Sequence, residues 1–481
     1  MKFDFRILYY KYKSLNIAVK AALWFTICNF LQKGIAFITI PIFTRLMSTQ
    51  EYGVYSLYVS WLQVFTVISS LYIYNGVSDN AMSKFPDDRD KFISSMLGLS
   101  LTITTSLLVM AIISWESFCA LLGLPSVLVI LMLAELYVTP SFSYWICKQR
   151  FEYRYKQLVL VTMARSILNP VIGLLAVYYM QDKSFARIAS IVFVEYVVCG
   201  TLLIYQFTKG RVFFSKKYWS YSLGLAVPIL PHYLSGVLLN HGDKIMIAHF
   251  IDSHSLALYS LAYSIGMVAQ VFVKSINSAT TPWIYKMLKA SNIIGVKERS
   301  KALLFLVAVI CFMMMLLAPE AVMVFGSSQY AKAAVIIPPV ATSVFFIYLY
   351  SFLTFPEFFY EKTKFLMVSS VFSAVLNVIL NYAFLPIYGY SAAAYTTMFC
   401  YGCYAIFHYI FGKRILNMYS QYSSILDEKF AIYLSGMLVF SGIVFPTIYG
   451  ATMVRYSLLF GIIMIGCIKR RTVLAIIKIH R

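Results

Sequence analysis

The chain has 481 residues, of which 60% are apolar and only 12% are charged. A soluble domain carries about 25% charged residues, so this composition excludes a soluble protein. The net charge of +21 does not indicate nucleic-acid binding, because the basic residues lie in short loops between apolar runs. Several of these runs exceed about 18 residues, which predicts an all-α polytopic membrane protein.

The first twenty residues mix lysine and arginine with phenylalanine and tyrosine. This pattern predicts an interfacial segment on the cytoplasmic face and no cleavable signal peptide. Fourteen transmembrane helices are predicted after it. They cover residues 21–46, 53–78, 93–114, 118–140, 157–180, 187–208, 220–250, 255–281, 302–324, 333–356, 365–386, 391–412, 430–450 and 453–468.

The lysines and arginines are distributed very unequally between the two sides of the membrane. With these spans, 31 of the 40 lie on the side of both termini, six lie on the opposite side or its edge, and three lie within spans. Positive loops stay in the cytoplasm, so both termini are predicted there. No loop is long enough for a soluble catalytic domain, which argues against an enzyme. The acidic cluster at Asp87 and Asp88 is interpreted as a solvated loop rather than a metal site.

A short internal repeat indicates two related halves. The segment GVYSLYVSW from Gly53 returns as ALYSLAYSI from Ala257, an offset of 204 residues with six spans between the copies. Both copies therefore enter the membrane the same way round, as in transporters built from parallel repeats. The prediction is two pseudo-symmetric six-helix lobes around a central cavity, residues 1–216 and 217–415, followed by two additional helices and a basic tail, residues 416–481.

Charged residues inside a membrane span are costly and often functional. Lys33 lies mid-span, where snorkelling to the interface is difficult, and Lys274 lies in the cytoplasmic half of its span, where snorkelling is easier. Asp243 and Lys244 are adjacent, so on a helix their side chains point about 100° apart and cannot face the same neighbour. Both a structural and a functional role stay open for this pair.

Three further charged residues lie within spans four to six. Glu135 and Arg165 have similar predicted depth, and a structural ion pair between them is expected. Glu195 has no evident partner in the sequence. It is interpreted either as a carboxylate that couples transport to protons or as a neutral acid within a helix interface.

Prolines occur in the first predicted helix of each lobe, Pro41 in one and Pro228 and Pro231 in the other. Proline interrupts helical hydrogen bonding, so these residues predict either static kinks or bending during transport. Cys400 and Cys403 form a Cys-x-x-Cys motif inside an apolar run. Without a second ligand pair no metal site or cofactor is predicted.

Three stretches of the chain resemble the oligosaccharide flippase family, the O-antigen and polysaccharide biosynthesis transporters of the multidrug/oligosaccharidyl-lipid/polysaccharide exporter superfamily. They are KGIAFITIPIFTRLMSTQEYGVYSL from Lys33, LSGVLLNHGDKIMIAHFIDSHSLALYSLAYSIG from Leu234, and LNVILNYAFLPIYGYSAAAYTT from Leu376. In the second stretch, Asp243 and Lys244 match the acidic-basic pair of the family. The arginine-aspartate pair of the lipid II branch is absent, since Thr39 and Ile40 stand there.

The resemblance implies a flippase of the bacterial inner membrane that works by alternating access. It would move a polyprenyl-diphosphate-linked oligosaccharide to the outer leaflet, in contact with membrane lipid, a polysaccharide polymerase and chain-length proteins. A cation-coupled multidrug antiporter is the alternative. Because a diphosphate requires cationic groups in a wet cavity, Lys33, Lys274, Arg165 and Lys244 are the predicted substrate-binding residues. Asp243, Glu195, Pro228 and Pro231 are the predicted coupling or gating residues.

Overall fold

The computed structural model describes residues 12, 14–362, 364–420 and 424–468, and every regular element in them is helical. Most of the predicted interfacial segment 1–20 and of the basic C-terminal tail lies outside the described residues. A π-helical turn, Tyr196–Gly200, follows α8, and 3₁₀ turns cover Pro86–Asp88 and Ser328–Ile336. The α-helices in chain order are α1 (Ile17–Leu46), α2 (Thr49–Ser70), α3 (Val77–Lys84), α4 (Arg89–Ile113), α5 (Trp115–Leu122), α6 (Ser126–Phe151), α7 (Tyr155–Tyr179), α8 (Lys183–Glu195), α9 (Thr201–Gly210), α10 (Lys216–Phe250), α11 (Ser253–Gly266), α12 (Val268–Lys289), α13 (Ile293–Leu316), α14 (Ala318–Phe325), α15 (Ile337–Leu353), α16 (Phe355–Phe359), α17 (Lys364–Tyr388), α18 (Ser391–Tyr419), α19 (Glu428–Ile448) and α20 (Thr452–Ile468).

Each predicted transmembrane segment coincides with one of these helices or with consecutive helices. Within the described residues, eleven helical stretches are long and apolar enough to cross a membrane. The remaining predicted spans correspond to α2 and α18, which carry more polar side chains, and to α20, which is shorter. The predicted kinks do not interrupt the helices, since α10 is continuous through both Pro228 and Pro231.

The chain divides into two compact units, residues 1–234 and 235–481, and the division falls inside α10. The N-terminal unit contains buried clusters around Phe92 and around Trp145. The C-terminal unit contains one larger cluster that includes Phe345 and Phe352. The three-part division at residues 216 and 415 remains a prediction.

The internal repeat extends to the helix boundaries. Helices α1 and α10 end at Leu46 and Phe250, and α2 and α11 begin at Thr49 and Ser253. Both pairs are separated by the 204 residues that separate the two sequence copies. The repeat therefore consists of a long helix, a two-residue turn and a second helix in each unit.

The helices that follow the two turns are capped by residues at equivalent positions but with different side chains. Ser48 accepts a hydrogen bond from the Glu51 amide at 3.2 Å, and the Glu51 carboxylate accepts one from the Ser48 amide at 2.7 Å. In the second copy, Asp252 accepts from the Ser255 amide at 2.6 Å. Each cap satisfies amides that the first turn of a helix leaves unpaired.

Replacing Ser48 with alanine should lower the stability of the protein. We expect a loss of about 1 kcal/mol, the usual effect of removing an N-cap side chain, measured as a lower thermal unfolding temperature in detergent. Ser114→Ala is the matched control, because Ser114 precedes α5 without a side-chain hydrogen bond to that helix. Equal unfolding temperatures for the two variants would contradict the capping role.

The additional helices begin at an exposed ion pair. The Lys301 ammonium lies 2.8 Å from the Asp427 carboxylate, and Asp427 also accepts a hydrogen bond from the Phe430 amide that opens α19. The hydrogen bond from Lys301 and the one from Phe430 lower the pKa of Asp427. Asp427 therefore stays ionised and caps α19 at neutral pH.

Candidate functional site

A polar cavity of about 260 Å³ lies within the N-terminal unit. Helices α1, α2, α7 and α8 provide its walls. The residues around it are Gln32, Ile35, Ala36, Thr39, Ile40, Phe43, Tyr52, Tyr55, Arg165, Ser166, Asn169, Pro170, Arg187 and Glu195. Residues 32, 36, 39 and 43 follow one face of α1 at helical spacing, which is why a single stripe of that helix lines the cavity.

Arg165 and Glu195 form an ion pair at this cavity. The Arg165 Nη2 and Nε atoms lie 2.6 and 2.8 Å from Glu195 Oε1. The guanidinium also lies 4.3 Å from the centre of the Phe142 ring. Glu195 is only 2% exposed. Its pairing with Arg165 neutralises both charges, which is the usual arrangement for charged residues inside membranes.

This geometry corrects two expectations. The partner of Arg165 is Glu195 and not Glu135, and Glu195 is therefore not without a partner. Glu135 is buried and accepts a hydrogen bond from the Tyr58 hydroxyl at 2.6 Å. The depth of a residue in the membrane can be predicted from the sequence, but the faces that two helices turn towards each other cannot. The expected ion pair between Glu135 and Arg165 is wrong for this reason.

Arg187, which the pattern of basic residues predicts at the membrane edge opposite the termini, is instead a buried residue of this cavity. This side chain is 7% exposed. It donates hydrogen bonds to the Asn169 carbonyl at 3.3 Å and to Asn169 Oδ1 at 2.9 Å. Its guanidinium lies 4.3 Å from the Phe43 ring centre and 5.4 Å from that of Tyr55.

No carboxylate among the described residues forms an ion pair with Arg187, and its Nε is buried without a hydrogen-bond partner there. A glycine makes room for the guanidinium, because a Cβ at Gly173 would lie 2.3 Å from Arg187 Nη1. The cavity thus holds one arginine in an ion pair and one buried arginine that donates its hydrogen bonds to an amide side chain and a backbone carbonyl instead of a carboxylate. Such a site favours an anion.

The predicted lysines do not line this cavity. Lys33 is exposed on α1, about 90° around the helix from the middle of the lining stripe. Lys274 is exposed on α12, where its carbonyl accepts a hydrogen bond from Ser278 at 2.9 Å. Their substrate-binding role remains a prediction.

Asp243 is the centre of a buried polar cluster in the C-terminal unit. It is 1% exposed, and three neutral side chains donate to its carboxylate. Asn381 Nδ2 lies 2.7 Å from Oδ1, and the hydroxyls of Thr397 and Tyr259 lie 2.6 and 2.5 Å from Oδ2. The cluster satisfies a carboxylate at membrane depth without a basic residue.

A second layer of amides and hydroxyls supports these donors. Asn377 donates to Thr397 at 2.9 Å, and Thr396 donates to Asn381 at 2.5 Å. Asn377 and Asn381 are four residues apart on α17, which places them on one helix face. That spacing is visible in the stretch LNVILNYAF, and it is the signal that could have identified both asparagines as partners of Asp243.

Lys244 is not among the three side chains that donate to the Asp243 carboxylate. Its ammonium lies 5.1 Å from the centre of the Tyr263 ring, and the side chain is half-buried. Within the described residues no group of three or more histidine, cysteine or carboxylate side chains could hold a metal ion. Cys400 and Cys403 are both free thiols on α18.

Solved structures with the same helical arrangement are transporters. The chain is similar to the lipid II flippase MurJ in an inward-closed conformation, with a TM-score of 0.70 and 14% identity over 94% of this chain and 100% of that chain. It is also similar to an inward-facing multidrug resistance MATE family transporter of the MOP superfamily, with a TM-score of 0.62 and 14% identity over 80% of this chain and 95% of the other. The protein therefore has the MurJ/MATE-type transporter fold, and the predicted fold class is confirmed.

The chain belongs to the polysaccharide biosynthesis protein family, whose model matches residues 18–288. The MatE model matches residues 228–383. Protein 1 of the Lsg locus of Haemophilus influenzae is 25% identical over 363 residues, 72% of this chain and 86% of that relative. An uncharacterised membrane protein of the same organism is 24% identical over 361 residues, 72% of this chain and 84% of the relative. The resemblance found in the sequence is confirmed, and the protein is a multi-pass membrane protein of this family.

Proposed function

We propose that this protein is a flippase for a polyprenyl-diphosphate-linked oligosaccharide. It moves the repeat unit of an O-antigen or another surface polysaccharide from the cytoplasmic to the outer leaflet of a bacterial inner membrane by alternating access. The observation that carries the proposal is the buried Arg187 in the cavity of the N-terminal unit, which forms no ion pair with a carboxylate among the described residues. An anionic substrate gains most from a cation that is already desolvated.

Two comparisons support the same substrate class. Membership of the polysaccharide biosynthesis family relates the chain to the assembly of polysaccharides. The similar MurJ structure is described as a lipid II flippase, and lipid II is a lipid-linked substrate. On this basis we propose that Arg187 and Arg165 bind the anionic part of the substrate. Lys33, Lys274 and Lys244 are proposed as further cationic residues along the path of the substrate.

Asp243 is the proposed coupling residue. Its carboxylate is held in a fixed position by three neutral donors, so binding or release of a coupling cation or proton would disturb the cluster formed by α10, α11, α17 and α18. Glu195 is a weaker candidate for this role, because Arg165 already neutralises it. Pro228 and Pro231 on α10 are proposed to let that helix bend during transport.

A multidrug antiporter is the second candidate, and the MatE family match and the MATE-like structures favour it. A transporter for cationic drugs needs an unpaired acidic group in its binding cavity. In the cavity of the N-terminal unit the acidic residue is paired and the unpaired residue is basic. We therefore prefer the flippase, which would act with a polysaccharide polymerase and chain-length proteins and would have both termini in the cytoplasm.

Deletion of the gene followed by lipid analysis tests the proposal. A flippase mutant should accumulate sugar-loaded polyprenyl diphosphate on the cytoplasmic side and should lose surface polysaccharide. Unchanged glycolipid together with increased drug sensitivity would instead identify the antiporter. Complementation with the wild-type gene controls for effects on neighbouring genes.

Replacing Lys33 or Lys274 with alanine should lower surface polysaccharide without lowering the protein level. Both lysines lie within apolar spans, where charged residues are often functional, so we expect a loss of several-fold for each variant. Quantitative blotting of polysaccharide and of the membrane protein measures the effect. Lys289→Ala, at the end of α12, is a suitable control. Normal polysaccharide in both variants would remove these lysines from the substrate route.

A further inference from the structure

Glu357, His408 and Ser369 form a buried chain of hydrogen bonds in the C-terminal unit. The side chains of Glu357 and His408 are both 0% exposed, and His408 Nδ1 lies 2.6 Å from Glu357 Oε1. The other ring nitrogen, Nε2, lies 3.2 Å from the Ser369 hydroxyl. The three residues come from α16, α18 and α17. Neither the cavity of the N-terminal unit nor the Asp243 cluster includes them.

The hydrogen bonds determine how many protons this chain holds. The Ser369 hydroxyl donates to the Phe365 carbonyl at 2.6 Å, so its oxygen must accept from His408 Nε2, which therefore carries a proton. A separation of 2.6 Å between Nδ1 and Oε1 requires a second proton between them, because two acceptors cannot hydrogen-bond. Whether that proton lies on Nδ1 or on Oε1, the net charge of Glu357 and His408 together is zero.

Aromatic rings surround the pair, and within the described residues none of them donates a hydrogen bond to the Glu357 carboxylate. Tyr350 on α15 and Tyr404 on α18 face His408, with ring centres 5.9 and 4.7 Å from the imidazole. On the side of α12, Tyr285 packs against Phe355 and Phe359 of α16.

Charged residues nearby have other partners. Lys413, one turn beyond His408 on α18, is 3.8 Å from Glu428, which also accepts a hydrogen bond from Tyr409. Among the described residues His408 is therefore the sole ion-pair partner of Glu357, whose Oε2 is buried without a hydrogen bond. Loss of the shared proton would leave a buried negative charge, which is strongly unfavourable.

The pair lies next to a short turn of the chain. Helix α16 has only five residues, and the chain then turns at Glu361, which has a φ of 57°. The Lys362 amide closes this turn by donating to the Glu357 carbonyl at 2.7 Å. The distribution of basic residues predicts that this turn faces the cytoplasm. A small displacement of α16 would thus expose the carboxylate to cytoplasmic water.

We propose that Glu357 and His408 form a proton-binding site that links transport to the proton gradient. The site is protonated in this conformation and releases one proton to cytoplasmic water when α16 moves, which leaves an anionic carboxylate and a neutral imidazole. This inference rests on the proposed transport function and adds to it the identity of a coupling ion. Ser369 is a positioning residue, because it orients the ring without holding the shared proton.

Transport in cells provides the first test. In a deletion strain complemented with the wild-type gene, collapse of the pH gradient with nigericin should lower polysaccharide export several-fold. Glu357→Gln and His408→Gln should lower export about tenfold or more without nigericin and should make the remainder insensitive to it. The double variant E357L/H408L replaces a buried pair by apolar groups, which usually preserves folding, and it should show the same defect at a normal protein level.

Proton binding by the purified full-length protein provides a second test that does not need the substrate. Titration in weakly buffered detergent should show that the wild type releases about one more proton per chain than E357L/H408L. Ser369→Ala, which keeps both titrating groups, should release as many protons as the wild type.

Two outcomes would overturn the inference. One is wild-type export and pH dependence in E357L/H408L, and the other is an equal proton count for that variant and the wild type. Unchanged glycolipid and surface polysaccharide in the deletion strain would refute the flippase assignment instead, and the proton count would still decide whether the site exists.

Discussion

Replacing Arg187 with glutamine is expected to abolish most polysaccharide export. The substitution removes a buried charge that forms no ion pair with a carboxylate among the described residues, while the amide keeps a donor near Asn169. A hydrogen bond to a charged group contributes about 1.5–3 kcal/mol, which corresponds to about 10- to 150-fold in binding. Surface polysaccharide in a complemented deletion strain measures the loss, and blotting of the membrane fraction establishes the protein level.

Two further variants separate the charge of Arg187 from its position. Arg187→Lys keeps the charge but loses the fork of donors, so it should export at an intermediate level. Gly173→Ala keeps the arginine but places a Cβ 2.3 Å from Nη1, which should displace the guanidinium and reduce export. Arg154→Gln, at an exposed loop position, should have no effect. Normal export by Arg187→Gln would contradict the proposed binding site.

The second large effect is expected for Asp243→Asn. The carboxylate accepts hydrogen bonds from Tyr259, Asn381 and Thr397, whereas an amide presents two hydrogens in place of one of its acceptors. We expect export to fall to background and the free energy of unfolding to fall by about 1–3 kcal/mol, the penalty for a donor left unsatisfied. Export assays and thermal unfolding in detergent measure the two quantities.

Thr397→Val serves as the structural control for Asp243→Asn. It removes one of the three donors and should lower the stability by a comparable amount while leaving the carboxylate charge in place. Coupling predicts that Thr397→Val retains much of its export and that Asp243→Asn does not. Equal export by the two variants at equal stability would show that Asp243 is only a structural residue.

The transmembrane helices could be predicted well because hydropathy and basic loops are local properties of the sequence. The repeat was recognised from four shared residues, and its 204-residue offset holds at the helix ends around Ser48 and Asp252. Helix boundaries were less accurate. The fourth predicted span began at residue 118, whereas α6 begins at Ser126 after the separate short helix α5.

The partners of charged residues were much harder to predict than their depth. Glu135 and Glu195 both lie within spans, and the sequence does not show which of them faces Arg165. Arg187 was missed for a related reason, since it was assigned to the membrane edge although it is buried against Phe43. These pairings depend on how the helices are rotated about their axes, which is determined by packing between distant segments.

The π-helical turn over Tyr196–Gly200 has a consequence for the ion pair at the cavity. This turn starts at the residue after Glu195 and joins α8 to α9. A π-helical turn contains one residue more than an α-helical turn. Such turns occur frequently at functional sites. If the extra residue migrates along the helix, the segment on one side rotates by about 100° relative to the other. Such a rotation would move Glu195 away from Arg165 and leave a second arginine at the cavity without its ionic partner.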